Sequence, residues 1–266
     1  MKITSLVDNI SSGVCGSEHG LSLMIELNSG AKVLFDMGQG SLFAENAGRL
    51  GIDLSDVDIA VISHGHYDHG GGLETFLKHN AKARVFIRES AFDTHFSVKE
   101  DGLKDIGIHR PSSDRIIVSE DVHYITDYIV LFRSTSCCFP EPDGNRLLLG
   151  SDGNRDDFRH EQSMMIREGE NVVLFGGCAH RGIVNIINDA CRLTDVRITH
   201  VLSGMHLGKG TPEPEYFDNL SQTLLSFDNI QYVTMHCSGE DGYLRLKDKM
   251  GDRISYLRCG ETICLM

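Results

Sequence analysis

Ser63-His64-Gly65-His66-Tyr67-Asp68-His69 places four metal-ligand residue types within six positions, and Gly70, Gly71 and Gly72 follow at once. Neutral imidazole and carboxylate are the usual ligands of zinc and similar borderline ions. Gly65 and the three later glycines predict backbone that passes close to a metal with no Cβ in the way. Four ligands from one loop cannot easily enclose a single ion and leave it accessible. They divide more naturally between two ions, His64 with His66 and Asp68 with His69. Each ion then needs ligands from elsewhere. His180, His206 and His236 offer them, because each lies just beyond an apolar, strand-like run. His19, His79, His95 and His123 lack that setting. A histidine standing alone is ordinarily a satisfied core or surface residue. A cluster this dense, with three strand-end histidines in support, is hard to read that way.

A metal ion lowers the pKa of bound water towards about 7, so hydroxide becomes available at neutral pH. A pair of ions could hold that hydroxide and polarise a carbonyl or phosphoryl oxygen. Asp68 is expected to steer the proton. Tyr67 and His206 are candidate donors to developing negative charge. Lys209, in His206-Leu207-Gly208-Lys209-Gly210, is a candidate grip for a substrate phosphate, against the plainer reading of a solvated loop lysine.

These side chains need strands to deliver them. Residues 58–63 read as a buried strand running into His64. Strands at 172–175, 198–203 and 231–235 end at or shortly before His180, His206 and His236. Residues 21–27 and 32–35, with Asn28-Ser29-Gly30 between them, predict a hairpin. Further strands are predicted at 84–87, 115–118, 128–133 and 163–167, with a last pair near the C-terminus. Helices are predicted over 43–50, 73–79, 182–193, 214–227 and 241–250. Residues 90–115 are more polar and irregular, and predict an insertion over one edge of the fold, of the kind that carries substrate contacts. Without repeats or a linker-like tract, residues 1–266 are expected to form one domain.

The HxHxDH run after a strand resembles the signature of the metallo-β-lactamase superfamily. Leu34-Phe35-Asp36-Met37-Gly38 is similar to its early strand-plus-Asp-Gly element. Three segments resemble one subgroup, the 7,8-dihydropterin-6-methyl-4-(β-D-ribofuranosyl)-aminobenzene-5′-phosphate synthase-like proteins. They are Gly177-Cys178-Ala179-His180-Arg181-Gly182-Ile183-Val184-Asn185, Ser203-Gly204-Met205-His206-Leu207 and Met235-His236-Cys237-Ser238-Gly239. The resemblance implies an α/β fold, a four-layer αββα sandwich with metals at one rim. It assigns His64, His66 and His180 to one ion, and Asp68, His69 and His236 to the other. The ions are expected to be divalent zinc, with manganese or iron as alternatives. Many relatives carry an Asp between the metals, where this chain has Gly204-Met205-His206. Either His206 takes that place, or the second ion is held more weakly, or His206 faces the substrate. Asp36 is expected to orient a ligand by accepting a hydrogen bond. Asp156, Asp157 and Glu161 resemble an acidic segment of the subgroup and are expected to be structural or to support the ligands.

The resulting expectation is a metal-dependent hydrolase or transferase acting on a small, phosphorylated, pterin-like molecule. The subgroup name implies condensation, and the same residues suit hydrolysis. A diiron redox or oxygen-binding protein is the competing reading. The diiron flavoprotein relatives carry a carboxylate where His66 stands and add a flavodoxin domain, and this chain has neither. The 38 acidic and 25 basic residues give a net charge of −13, which argues against a duplex nucleic-acid partner. No apolar run approaches the roughly 20 residues that span a bilayer, and the N-terminus lacks an apolar signal core. The eight cysteines are then expected to be reduced, in a cytoplasmic protein, and the Cys137-Cys138 pair to be unremarkable. The oligomeric state is not legible.

Overall fold

The computed structural model describes residues 1–208 and 213–265. Lys209 lies outside them. Two seven-stranded sheets dominate. In the first, the order is Thr262–Cys264, Lys2–Val7, Ser22–Glu26, Lys32–Phe35, Ile59–Val61, Arg84–Ile87 and Ile116–Val118. In the second it is Ile254–Tyr256, Gln231–Thr234, His200–Ser203, Asn171–Phe175, Ser163–Glu168, Ile129–Phe132 and Val122–Thr126.

Alternation along the strands makes four layers from these sheets, because successive side chains point to opposite faces. Leu23, Ile25, Val33 and Phe35 face inwards and meet Leu131, Val173, Phe175 and Leu202 of the other sheet. The Phe35 and Phe175 rings lie 6.1 Å apart across this seam. Met24 and Leu34, one residue out of phase, face outwards onto Phe43 and Ala47 of helix Leu42–Arg49 and Phe76 of helix Leu73–His79. Val172 and Leu174 likewise face outwards, onto helices Ile183–Leu193, Pro214–Ser226 and Gly239–Met250. The expected αββα sandwich is the observed fold. Among the described residues, no helix is long and apolar enough to cross a membrane.

Each sheet contains a parallel block. Lys32–Phe35, Ile59–Val61, Arg84–Ile87 and Ile116–Val118 run together. So do Asn171–Phe175, His200–Ser203, Gln231–Thr234 and Ile254–Tyr256. Parallel strands end on a common edge, so residues just past their C-termini gather there. Asp36, His64, His180, His206 and His236 all occupy such positions.

Two expectations change. Residues 90–115 are irregular only in part: Phe96–Lys99 and Gly102–Asp105 form a hairpin, joined by Leu148–Leu149 into a third sheet. Its exposed Val98 and Leu103 hide the usual alternation. The glycines of the histidine loop also serve a different purpose. A Cβ on Gly65 would lie 2.2 Å from the Ala91 carbonyl oxygen, and one on Gly72 would lie 2.2 Å from that of Met37. The close approach at these two positions is to neighbouring backbone.

Gly65→Ala is therefore expected to cost about 1–3 kcal/mol, the range for overpacking. Gly48→Ala is the control. It lies in helix Leu42–Arg49 with nothing within 4 Å of the added Cβ, and should gain roughly 0.5–1 kcal/mol. Denaturant melts of the two variants check both signs.

Candidate metal centre

His64 Nε2 lies 3.0 Å from His66 Nδ1, and the His180 ring centroid is 5.0 Å from each of theirs. His69 Nε2 lies 3.1 Å from His236 Nε2. Asp68 Oδ2 is 3.4 Å from His236 Nε2 and 4.0 Å from His69 Nε2. The chain thus gathers both predicted triads, side by side, with the His64 and His69 rings 4.1 Å apart. His66, Asp68, His180, His206 and His236 line a cavity of about 320 Å³, with Tyr67 on its wall.

The partners of the ring nitrogens fix their tautomers. His69 Nδ1 donates to Asp36 Oδ2 at 2.7 Å. Asp36 also accepts from the Ser63 amide and hydroxyl, each at 2.7 Å. Ser63 Oγ, having donated to Asp36, accepts from His64 Nδ1 at 2.9 Å. His180 Nδ1 donates to Asn145 Oδ1 at 2.9 Å, and Asn145 Nδ2 donates to the His180 carbonyl, which sets the amide's orientation. His236 Nδ1 donates to Asn9 Oδ1 at 2.8 Å. His64, His69, His180 and His236 are thereby each left with a lone pair on Nε2.

Those lone pairs converge on one another, which is unfavourable unless a proton or a metal ion lies between them. His66 Nε2, His180 Nε2 and both ring nitrogens of His206 are buried with no hydrogen-bond partner. Buried polar atoms are rarely left so. Two ligands of a tetrahedral zinc, each about 2.0–2.1 Å from the ion, lie about 3.3 Å apart, close to the observed nitrogen separations. The donor set fits a metal.

Charge supports the same fit. Burial, and then the neighbouring histidines, pull His64 and His180 well below the usual imidazole value and keep them neutral. Burial also holds His66 well below it. Burial lowers His69 too, but Asp36 and Asp68 outweigh it and push that imidazole up to about 9. Burial raises Asp68, but hydrogen bonds from His19 and His236 outweigh it and hold the carboxyl well below its ordinary range. Burial lifts Glu161 to about 7 although it accepts from the His180 and Arg181 amides.

Backbone strain collects here as well. Asp36, Phe158, Ala179, His206 and His236 all have φ between 49° and 60°, a region L-residues seldom enter. Such residues persist where surrounding contacts over-determine them. His236 is held by its own amide donating to Asp8 Oδ2 at 2.6 Å.

His206 stands beside His180 at the edge of the first triad. Its ring centroid is 4.4 Å from that of His180, and it groups with Cys178 and Cys237. Among the described residues no carboxylate stands beyond strand His200–Ser203 in the place where relatives carry one. Cys178 instead groups with His64 and His180 and also with His69 and His236, its Sγ 3.2 Å from His69 Nε2.

Strand-end position alone had set aside His19 and His95, and both are in fact at the site. His19 Nε2 donates to Asp68 Oδ2 at 3.0 Å. Asn9 fixes that tautomer by donating through Nδ2 to His19 Nδ1. His95, Asp156 and His160 form a buried network beside His66, and the Gly65 amide donates to His160 Nδ1 at 3.0 Å. Asn9, His19, His95 and His160 come from loops, where no periodicity points to them.

Two outcomes are expected. Replacing Asn9 or Asn145 with Ala should weaken metal affinity about 10–100-fold, measured by competition with a chromophoric chelator, with the melting profile of the metal-free protein little changed. Metal uptake should also displace the His69 proton below pH about 9. Apparent affinity should therefore rise with pH up to that value and then level off. An affinity flat between pH 6 and 9 would mean that His69 is not a ligand.

The family model of the metallo-beta-lactamase superfamily matches residues 16–132, which include the whole histidine loop. A solved structure of a metal-dependent hydrolase of the beta-lactamase superfamily aligns with a TM-score of 0.84 and 28% identity, covering 100% of this chain and 99% of that one. An uncharacterised protein of Methanocaldococcus jannaschii is 26% identical over 252 residues, 89% of this chain and 90% of its own length. The 7,8-dihydropterin-6-methyl-4-(beta-D-ribofuranosyl)-aminobenzene-5′-phosphate synthase of the same organism is 23% identical over 275 residues, covering 93% of this chain and 90% of the synthase. The signature loop, the sandwich and the gathered triads agree with these likenesses, and the chain has the metallo-β-lactamase fold.

Proposed function

We propose that this protein is a metal-dependent hydrolase or transferase with a binuclear centre, acting on a small phosphorylated, pterin-like substrate. One observation carries the reading: imidazole Nε2 atoms face each other across the cavity wall, His69 to His236 at 3.1 Å, while their Nδ1 atoms are held by Asp36 and Asn9. His64, His66 and His180 would hold one divalent ion, and Asp68, His69 and His236 the other, with zinc preferred over manganese or iron. Bound there, the ions would make hydroxide available at neutral pH and stabilise charge on the substrate oxygen.

The chain's own residues do the rest. Asp68 keeps its carboxylate ionised through His19 and His236, so one of its oxygens can accept and steer the proton of the attacking water. His206 has two ring nitrogens without partners and can donate to the leaving group or to developing oxyanion charge. Tyr67, half-buried on the cavity wall, can orient the substrate. Cys178 stands between the triads, within reach of either ion's position. The solved hydrolase relative favours hydrolysis, and the synthase relative supports a pterin-related substrate and leaves condensation open. The net charge of −13 disfavours nucleic acid as the partner.

Elemental analysis of protein purified without added metal should find about two ions per chain. His236→Ala should lower this to about one, and His66→Ala should abolish turnover in a screen of phosphoesters, lactones and pterin phosphates. Chelation should remove activity and added zinc or manganese should restore it. A single ion unaffected by His236→Ala would overturn the binuclear assignment. A visible band from two irons would favour redox chemistry instead.

A further inference from the structure

Beside the triads stand two buried thiols and an imidazole that neither triad requires. Cys178, His206 and Cys237 are 3%, 6% and 9% exposed, and all three line the cavity. The two Sγ atoms and a ring nitrogen of His206 lie within 4.8 Å of one another. Buried free cysteines ordinarily serve as small apolar fillers. That reading does not account for the imidazole, because both of its ring nitrogens are buried without a hydrogen-bond partner. A neutral imidazole has one donor and one acceptor nitrogen. His206 thus has two unmet requirements, and buried polar atoms are rarely left so.

The backbone holds this group together. His206 follows strand His200–Ser203 and Cys237 follows Gln231–Thr234, parallel neighbours in the second sheet. Between the two strand-end loops, the Met205 amide donates to Ser238 Oγ at 2.9 Å and the His206 amide to Cys237 Sγ at 3.3 Å. The Gly208 amide donates to the Cys237 carbonyl at 2.9 Å. Gly204 makes room for the sulfur, since a Cβ there would lie 2.4 Å from Cys237 Sγ. Cys178 arrives from the next strand end, beyond Asn171–Phe175. Among the described residues, Cys237 joins a ligand group only with Cys178 and His206, whereas Cys178 also adjoins ligands of both triads.

We propose that Cys178, His206 and Cys237 form a third metal site, distinct from the two triads, for a thiophilic divalent cation of the zinc class. Thiolate sulfur and imidazole nitrogen suit such an ion, and three protein ligands leave its fourth position open to the cavity. One ring nitrogen of His206 binds the ion. The other keeps its proton for a molecule in the cavity, so both unmet requirements are answered. Binding releases the two thiol protons, and a divalent ion held by two thiolates adds no net charge beside the triads. A tetrahedral zinc sets sulfur and nitrogen ligands about 3.5–3.8 Å apart, so the group must tighten on binding. It therefore fills after the triads, whose nitrogens already stand 3.0 and 3.1 Å apart, and only when metal is supplied.

The test is a cobalt(II) titration of the metal-free, reduced protein, followed by absorption. Cobalt bound to thiolate gives a near-ultraviolet charge-transfer band that nitrogen and oxygen ligands do not give. The wild type should take up about three ions per chain, with the band growing most at the last. Cys237→Ser should take up one ion fewer and lose that last growth. His206→Ala should do the same, and it keeps the result readable if serine at position 237 impairs folding. An ion count and band unchanged in both variants would overturn the site. So would a band that survives Cys237→Ser and vanishes in Cys178→Ser, which would make Cys178 a ligand of a triad ion alone. The site does not depend on the triads being filled, so the two readings fail separately. His66→Ala and His236→Ala should lose triad ions and keep the band that needs Cys237. Empty triads beside that band would retain the third site and lose the binuclear centre, and filled triads without it would do the opposite.

Discussion

The approach of His69 Nε2 to His236 Nε2 is the constraint on which the rest of the structure turns. One ring follows a strand of the first sheet and the other follows a strand of the second. They come within 3.1 Å of each other only because the two sheets are packed through a common apolar seam at Phe35 and Phe175. Each ring is held by its far nitrogen, one by Asp36 and one by Asn9. Rotating either ring away would break that hydrogen bond. The apolar core therefore brings together two lone pairs that repel, and an ion or a proton is what relieves them.

The polar shell behind those rings makes this tolerable. Asp36 has no exposure to solvent, and a buried carboxylate is costly unless its hydrogen bonds are satisfied. It accepts from a backbone amide, a hydroxyl and an imidazole. Asn9 spans two histidines, and because its amide must donate to His19 and accept from His236, one rotamer fixes both tautomers. The positive-φ residues belong to the same economy of positions. At Ala179, His206 and His236 the chain leaves a strand and turns back sharply, which aims each histidine inwards instead of continuing its sheet.

Strand-end histidines were legible in the sequence because hydrophobic runs of strand length stop where ligand types begin. His64, His180, His206 and His236 all show that pattern, and the strands behind them are where the runs predict. The first strand, Lys2–Val7, carries Asp8 and Asn9 to the same rim, yet two polar residues after a short apolar run give no signal of their own. His95 and His160 were invisible for a related reason. They come from loops, and only tertiary packing brings them to Asp156. The hairpin itself was hidden because Val98 and Leu103 are exposed beside exposed Lys99 and Lys104, which removes the alternation that reveals a half-buried strand.

The accessory sheet bears on how one scaffold can serve different substrates. The metal ligands lie at the ends of sheet strands, where shifting one side chain disturbs the packing of the sandwich. Phe96–Lys99, Gly102–Asp105 and Leu148–Leu149 instead form a small accessory sheet, joined to the histidine loop by the Tyr67–Ile106 backbone contact. Residues there can change without moving a ligand, because loops and insertions tolerate substitution better than the core does.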